Sequence, residues 1–425
     1  MKKRMKTALA AVLLAAMMLT VCGIGHCEET FAEKALRAAF GDEKAAFIDE
    51  EGKIAFFVDY DVTGNFVDGL ARVKKDRKWG LIDTTGKEIV PCQYDEISDF
   101  SEGFACVEKF YDWGYIDRTG REVIPCQFGQ AEDFSEGLAC IGSLGDGGRG
   151  YIDATGKEVI PRQYDMAGYF CEGFARVSQN VGWTWSYIDR TGKEIAPCEY
   201  DWAADFSEGF ACVRKDEKYG FIDATGKEVI PRQYDDADDF SEGLALIKRG
   251  EKWGYIDTTG KEVVPCQYEE AYDLFDGLAP VKKGEKWGYI DATGKEVVPC
   301  QYEEAYNSFG GGYAIVKKDG KYGYIDMTGR EVVPCQYEEA YDVSKGFALV
   351  KRDGKYGYID TTGKEVVPCQ YDNAAYYFSD GLAHVEKDGK WGYVDTTGKM
   401  AIPCVFDSAE PFSDGLAYVK IGEGK

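Results

Sequence analysis

The chain has 425 residues, 44% of them apolar, and a formal net charge of −25. That apolar fraction supports a packed structure rather than a disordered one. The acidity repels DNA, RNA and anionic lipid at long range, so nucleic acid is excluded as a partner.

Residues 1–27 stand apart in composition. Lys2, Lys3, Arg4 and Lys6 precede an apolar run from Ala8 to Val21, too short for a comfortable bilayer span and suited to a signal-peptide core. Gly23 and Gly25 offer the small pair that a secretory peptidase requires. Alternatively, Leu19-Thr20-Val21-Cys22 is similar to a bacterial lipobox, and a lipid anchor at Cys22 is then the one membrane attachment expected. The block holds four basic and no acidic residues, so the remainder carries 46 Lys+Arg against 75 Asp+Glu, a formal −29. Residues 28–45 read as a short helical cap, which a stacked array needs at its end.

Residues 46–425 are an array of about eleven copies of one unit, the first degenerate (Phe47-Ile48-Asp49 and Gly52-Lys53). The stretch from Gly69 to Glu102, GLARVKKDRKWGLIDTTGKEIVPCQYDEISDFSE, is the type. Its opening glycine returns at Gly103, Gly137, Gly173, Gly209, Gly243, Gly277, Gly312, Gly346, Gly381 and Gly415, at spacings of 34 to 36 residues. Such a period means a repeat architecture. Within the unit the apolar pattern has period two, so its elements are strands. Strand A is LARVK, strand B is KWGLID and strand C is EIVPCQY. Ten of the twelve prolines share one register of strand C, from Pro91 to Pro403, so that strand bulges or lies at an edge there. Between B and C, Asp83-Thr84-Thr85-Gly86-Lys87 reads as a turn with Gly86 at positive φ and Asp83 accepting from backbone amides.

Each unit is thus an antiparallel three-stranded meander that cannot bury both faces alone, so neighbours must stack. Closed propellers usually carry four to eight blades of four strands. Eleven three-stranded units fit that poorly, and the expectation is an all-β open solenoid or superhelix, with propeller-like closure as the alternative.

The run K-W-G-Y-I-D-x-T-G-K-E-V-[VI]-P-C-x-Y-[DE] resembles the WG-repeat (KWG-repeat) family of exported and envelope bacterial proteins. The resemblance covers roughly residues 45–420. The Trp position departs to Tyr219, Tyr322, Tyr356 and Arg149, and shifts to Trp185-Ser186 in one copy. The resemblance implies a β-rich repeat scaffold and no particular reaction.

Catalytic chemistry is scarce in the sequence. The chain has two histidines, His26 within the signal block and His384 at the variable position of strand A. A Ser-His-Asp or Cys-His arrangement would have to use His384, which reads as a surface residue at a tolerant position. The Asp ending strand B recurs in all eleven units, as a turn requirement does and an active site does not. No C-x-x-C occurs, so no metal, cluster or cofactor is expected. Cys92/Cys106, Cys126/Cys140 and Cys198/Cys212 are the cysteine pairs that a disulfide could join; most thiols read as small buried hydrophobes.

The aromatic rings are the remaining binding candidates. Trp79, Trp113, Trp253, Trp287 and Trp391 recur at one position, either as exposed rings for a polysaccharide or extended peptide or as buried core between copies. The variable strand-A position, with Arg72, Arg176, His384 and Tyr418, is the better contact candidate, because ligand-reading positions need not repeat. The reading is a secreted or cell-envelope scaffold that binds a protein or polysaccharide without catalysis. A glycan-active enzyme using Asp/Glu and a passive structural spacer are the alternatives.

Overall fold

The structure is a computed structural model that describes residues 45–143, 147–179, 184–306 and 310–421. The expected signal peptide and the lipid anchor expected as an alternative at Cys22 lie outside the described residues. So does the expected helical cap, except for Ala45, which opens a strand. Two compact units emerge among the described residues: 45–92 with 321–323 and 332–421 form one, and 93–320 with 324–331 form the other.

Among the described residues, regular structure is β, in eleven four-stranded antiparallel sheets, apart from a short 3-10 turn at Gly310–Gly312. One sheet comprises Glu96–Ile97, Phe104–Lys109, Asp112–Asp117 and Glu122–Phe128 in that order. The last three are strands A, B and C. The first is a two-residue strand from the linker, pairing with strand A through Glu96↔Glu108 and Ile97↔Val107. The expected three-stranded meander is therefore corrected to a four-stranded propeller blade.

The open solenoid is overturned as well. The final sheet joins both ends of the chain: Ser408–Ala409 and Leu416–Lys420 supply its linker strand and strand A, and Ala45–Asp49 and Ile54–Phe57 supply its strands B and C. Residue 45 pairs with 420 and so on to Asp49 with Leu416. The degenerate first copy is thus half a blade, completed by the last copy. An open array would leave a strand edge at each end with unpaired amides and carbonyls, and this pairing removes both edges. The described residues thus form the eleven four-stranded blades of a β-propeller rather than an open solenoid.

Links between successive copies repeat at the closure. The Glu102 carboxylate accepts from the Gly137 amide at 2.8 Å, and the Ser101 hydroxyl donates to the Phe134 carbonyl at 2.8 Å. At the closure Asp414 accepts from the Gly69 amide at 2.7 Å, and Ser413 donates to the Phe66 carbonyl. Junctions within each compact unit also bury cores. Cys106, Tyr115 and Ile124 of one copy pack with Phe134, Ala139 and Ile141 of the next, and the closing junction packs Phe47, Leu416 and Tyr418 against Phe66, Ala71 and Val73. The strand-B tyrosine is polar glue as well as core, since Tyr115 Oη donates to the Glu132 carbonyl at 2.8 Å.

Two sequence signatures turn out to be one device. Trp113 pairs with Phe128 and Tyr115 with Ile124, so Gly114 faces a strand-C bulge built on Pro125 and Cys126. A Cβ on Gly114 would lie 2.5 Å from the Ile124 carbonyl oxygen and 2.6 Å from the Cys126 amide. The glycine after the tryptophan exists because the Pro-Cys bulge runs over it. Ser186 occupies this position in one copy, where Cys198 Sγ reaches the Thr184 carbonyl at 3.2 Å. In a regular copy the corresponding thiol faces a strand-A carbonyl, as Cys126 does with Val107 at 3.7 Å.

The turn after strand B is as expected. Asp83 Oδ1 accepts from the Thr85 amide (2.9 Å), the Thr85 hydroxyl (2.6 Å) and the Lys87 amide (3.0 Å), and Gly86 has φ 78°. The Thr85 hydroxyl above all holds this carboxyl below its ordinary value. The same turn recurs down to Asp395, so the repeated aspartate is consumed by folding.

None of the twelve described cysteines is in a disulfide, so none of the three candidate pairs is bridged. Cys106 and Cys140 lie in the junction cores, and burial pushes the Cys140 thiol up to about 11.

Candidate ligand-binding site

Strand B carries the recurrent ring with its side facing strand A, so the ring's neighbours are set by two variable positions. One is the residue directly across on strand A. The other is the linker residue whose amide bonds the variable strand-A carbonyl. In the Trp287 blade these are Lys282 and Tyr272. Tyr272 stacks on Trp287 with ring centres 5.5 Å apart and planes at 16°, and Lys282 Nζ lies 5.5 Å from the Trp287 ring centre. Covered on both counts, Trp287 is 7% exposed.

Most predicted residues are engaged in this way within their own copies. Lys74 Nζ stands 4.8 Å over Trp79, with the Arg72 guanidinium 5.8 Å from the same ring. Lys248 lies 5.0 Å over Trp253. Trp113, across from Glu108, packs beside the Tyr115–Phe134 core. Arg176 lies over Trp185, donates to the Ala203 carbonyl at 2.8 Å and pairs with Asp205 at 3.1 Å. Tyr418 is buried against Phe47 with ring centres 5.7 Å apart.

His384 and Trp391 are the two predicted residues that meet in a cavity. It measures ≈ 280 Å³ and is lined by Tyr341, Tyr356, Tyr376, Tyr377, His384 and Trp391, with Leu349, Asn373, Ala374, Ala375 and Pro411 completing the wall. The His384 and Trp391 rings are 5.1 Å apart, and Tyr341 is 5.1 Å from Tyr376. His384 is not the surface residue the sequence suggested. Its Nδ1 is buried without a hydrogen-bond partner, and burial pulls the imidazole down to about 4. Outside the lining, Glu339 accepts from the Tyr341 hydroxyl at 2.8 Å and the Tyr356 hydroxyl at 3.0 Å, and pairs with Lys351 at 2.7 Å. Those bonds fix both tyrosine rings.

The cavity has a sequence cause. Where Tyr272, Tyr306 and Tyr341 bond a strand-A carbonyl through their amides, this copy has Ala375, bonded to the His384 carbonyl at 2.9 Å. The ring that would cover Trp391 is absent. The linker from Tyr371 to Gly381 is also one residue longer than that from Tyr337 to Gly346, which makes room for Tyr376 and Tyr377, 64% and 48% exposed. Sequence reasoning singled out His384 and Trp391 but missed Tyr341, Tyr356, Tyr376 and Tyr377. The signal was available in the added linker residue and in alanine standing where neighbouring copies have tyrosine.

The model of the WG containing repeat matches the chain eleven times in tandem, at 46–79, 79–109, 113–141, 150–183, 185–219, 219–253, 253–287, 287–322, 322–356, 356–391 and 391–425. The chain belongs to the WG-repeat family. Its WG repeats are matched from one ring position to the next, so the repeat of the sequence is out of phase with the blade, and the first and last matches share the closing sheet. No curated protein matches the chain. Among solved structures, a eukaryotic initiation factor is similar at 12% identity and TM-score 0.39, over 68% of this chain and 92% of its own. Hsv2 of Kluyvelomyces marxianus is similar at 10% identity and TM-score 0.31, over 59% and 94%. The dihydro-heme d1 dehydrogenase NirN in complex with DHE is similar at 13% identity and TM-score 0.30, over 82% and 81%.

Proposed function

We propose that this WG-repeat propeller is an exported, extracellular or envelope-attached scaffold that binds a protein or polysaccharide without catalysing a reaction. The ligand engages the aromatic cavity of the Trp391 copy. One observation carries this reading: Trp391 keeps the ring position of the repeat but has lost the tyrosine that covers its counterpart Trp287. Aromatic-walled concavities with few polar groups suit ligand capture, and a bare indole face offers stacking to a sugar ring or a side chain. His384 supports binding over acid–base chemistry, because an imidazole pulled down to about 4 is a poor base near neutral pH.

The test is to fill the cavity. Ala375→Tyr restores the residue type that positions 272, 306 and 341 already carry, so the blade accommodates it. Glycan and peptide arrays probed with the wild-type chain should give a ligand that the A375Y chain binds at least tenfold more weakly. A ligand bound equally by both chains would remove the cavity from the function, and a chain binding nothing on either array would favour a passive spacer.

A further inference from the structure

The second cover of the ring is missing as well, and it states what the ligand supplies. Across from the recurrent ring, strand A carries a cation in most regular copies: Lys74, Lys248, Lys282 and Lys351 stand 4.8 to 5.5 Å over Trp79, Trp253, Trp287 and Tyr356. Arg214 does the same for Tyr219 at 5.7 Å. Across from Trp391 stands Glu386. Its other cross-strand neighbour is Asn373, which lines the cavity, as Trp391 does. A carboxylate therefore sits between two wall residues, at the place where the repeat normally keeps its own ammonium group.

Trp113 shows that the exchange of lysine for glutamate is not enough alone. It faces Glu108, but there the linker residue Ser98 is tied to the Cys106 amide at 3.0 Å and to Asp133 at 2.8 Å. In the Trp391 copy the exchange coincides with the open cavity and four further rings. The nearby cation, Lys351, is committed to Glu339 and to the face of Tyr356. The neutral imidazole of His384 adds no positive charge to the wall. What is left is an indole face, tyrosine rings around it and an acidic residue behind, which is the composition of an aromatic cage for an organic cation.

We propose that the cavity binds a quaternary ammonium group, held against Trp391 where other copies hold their own lysine. This rests on the cavity being the binding site, as above. The wall residues include no carboxylate, and this favours a weakly hydrated quaternary centre over a primary amine, which needs acceptors for its N–H groups. The overall acidity of the chain raises the local concentration of such a cation.

Calorimetric titration of the full chain with choline and with its neutral isostere 3,3-dimethyl-1-butanol is the test. Choline should bind at least tenfold more tightly than the isostere. Trp391→Ala should abolish choline binding. Glu386→Lys, which installs the residue type of position 282, should weaken it at least tenfold while leaving the thermal melt of the chain in place. Equal affinity for the two probes, or choline binding unaffected by E386K, would overturn the cation assignment. If choline fails to bind while an array ligand sensitive to A375Y persists, the cation is wrong and the cavity stands. If neither binds, both readings fall.

Discussion

Two blades of the same repeat show how this fold separates structure from recognition. The Trp287 blade and the Trp391 blade share every feature that builds a blade. Gly288 and Gly392 lie under the Pro-Cys bulge, with a Cβ at either coming within 2.6 Å of strand-C backbone. Asp291 and Asp395 hold the same turn. Tyr289 and Tyr393 each donate to a linker carbonyl, at 2.9 and 2.8 Å. They differ at three variable positions around the ring: Tyr272 against Ala375, Lys282 against Glu386, and Pro280 against His384. A binding surface arises here by removing covers from a ring the fold already presents, so the blade itself did not have to change.

The comparison breaks most visibly at the ring. Trp287→Ala should destabilise by about 4 kcal/mol, the cost of emptying a buried aromatic site. Trp391→Ala should cost about half that, because one face of the ring already borders open space and loses fewer packing partners. Urea melts of the two variants would check this, and equal midpoints would mean that Trp391 is as thoroughly packed as Trp287. The shared glycines should behave in the opposite way. Gly288→Ala and Gly392→Ala each drive a methyl group into backbone that cannot yield, for a loss of about 2–3 kcal/mol. The two losses should agree within about 0.5 kcal/mol, since both glycines meet the same bulge. A tolerated substitution at Gly392 alone would show that its strand C can shift.

Much of this was legible in the sequence because it is local. The Asp-x-Thr-Gly-Lys turn, the period-two strands and the bulge at the repeated proline each depend on a few neighbouring residues. The fourth strand was not legible, because a two-residue element such as Glu96–Ile97 is too short to show any period. Closure was hidden for a different reason. It depends on Ala45–Asp49 finding Leu416–Lys420, a pairing that no local pattern encodes, and the split blade looks like a decayed repeat when read from one end. The site was half legible. His384 and Trp391 lie on regular strands and could be singled out by position. Tyr376 and Tyr377 sit in a linker, and Ala375 shows as a missing tyrosine only when the linkers are aligned from the tyrosine that ends strand C.

The finest contrast between the blades is the one at Pro280 and His384, and pH reads it. In the unfolded chain a histidine titrates near 6.5. Folding buries His384 beside Trp391 and Tyr393 and pulls it down to about 4. Between those values the unfolded chain holds a proton that the folded chain lacks. Stability conferred by the neutral imidazole is therefore complete above about pH 7 and declines as pH falls from about 6.5 to about 4, by at most about 1.4 kcal/mol per unit. Other groups titrate nearby, and Asp239 and Asp273, pushed up to about 6 mainly by burial, act in the opposite direction. Comparing wild type with His384→Leu, the residue type of position 349, cancels them. The difference in melting temperature between the two chains should be constant above pH 7 and should shift in favour of the leucine variant at each step to pH 5. A difference that stays flat across that range would mean that His384 accepts its proton in the folded chain, and that the wall of the Trp391 cavity is wetter than its Pro280 counterpart.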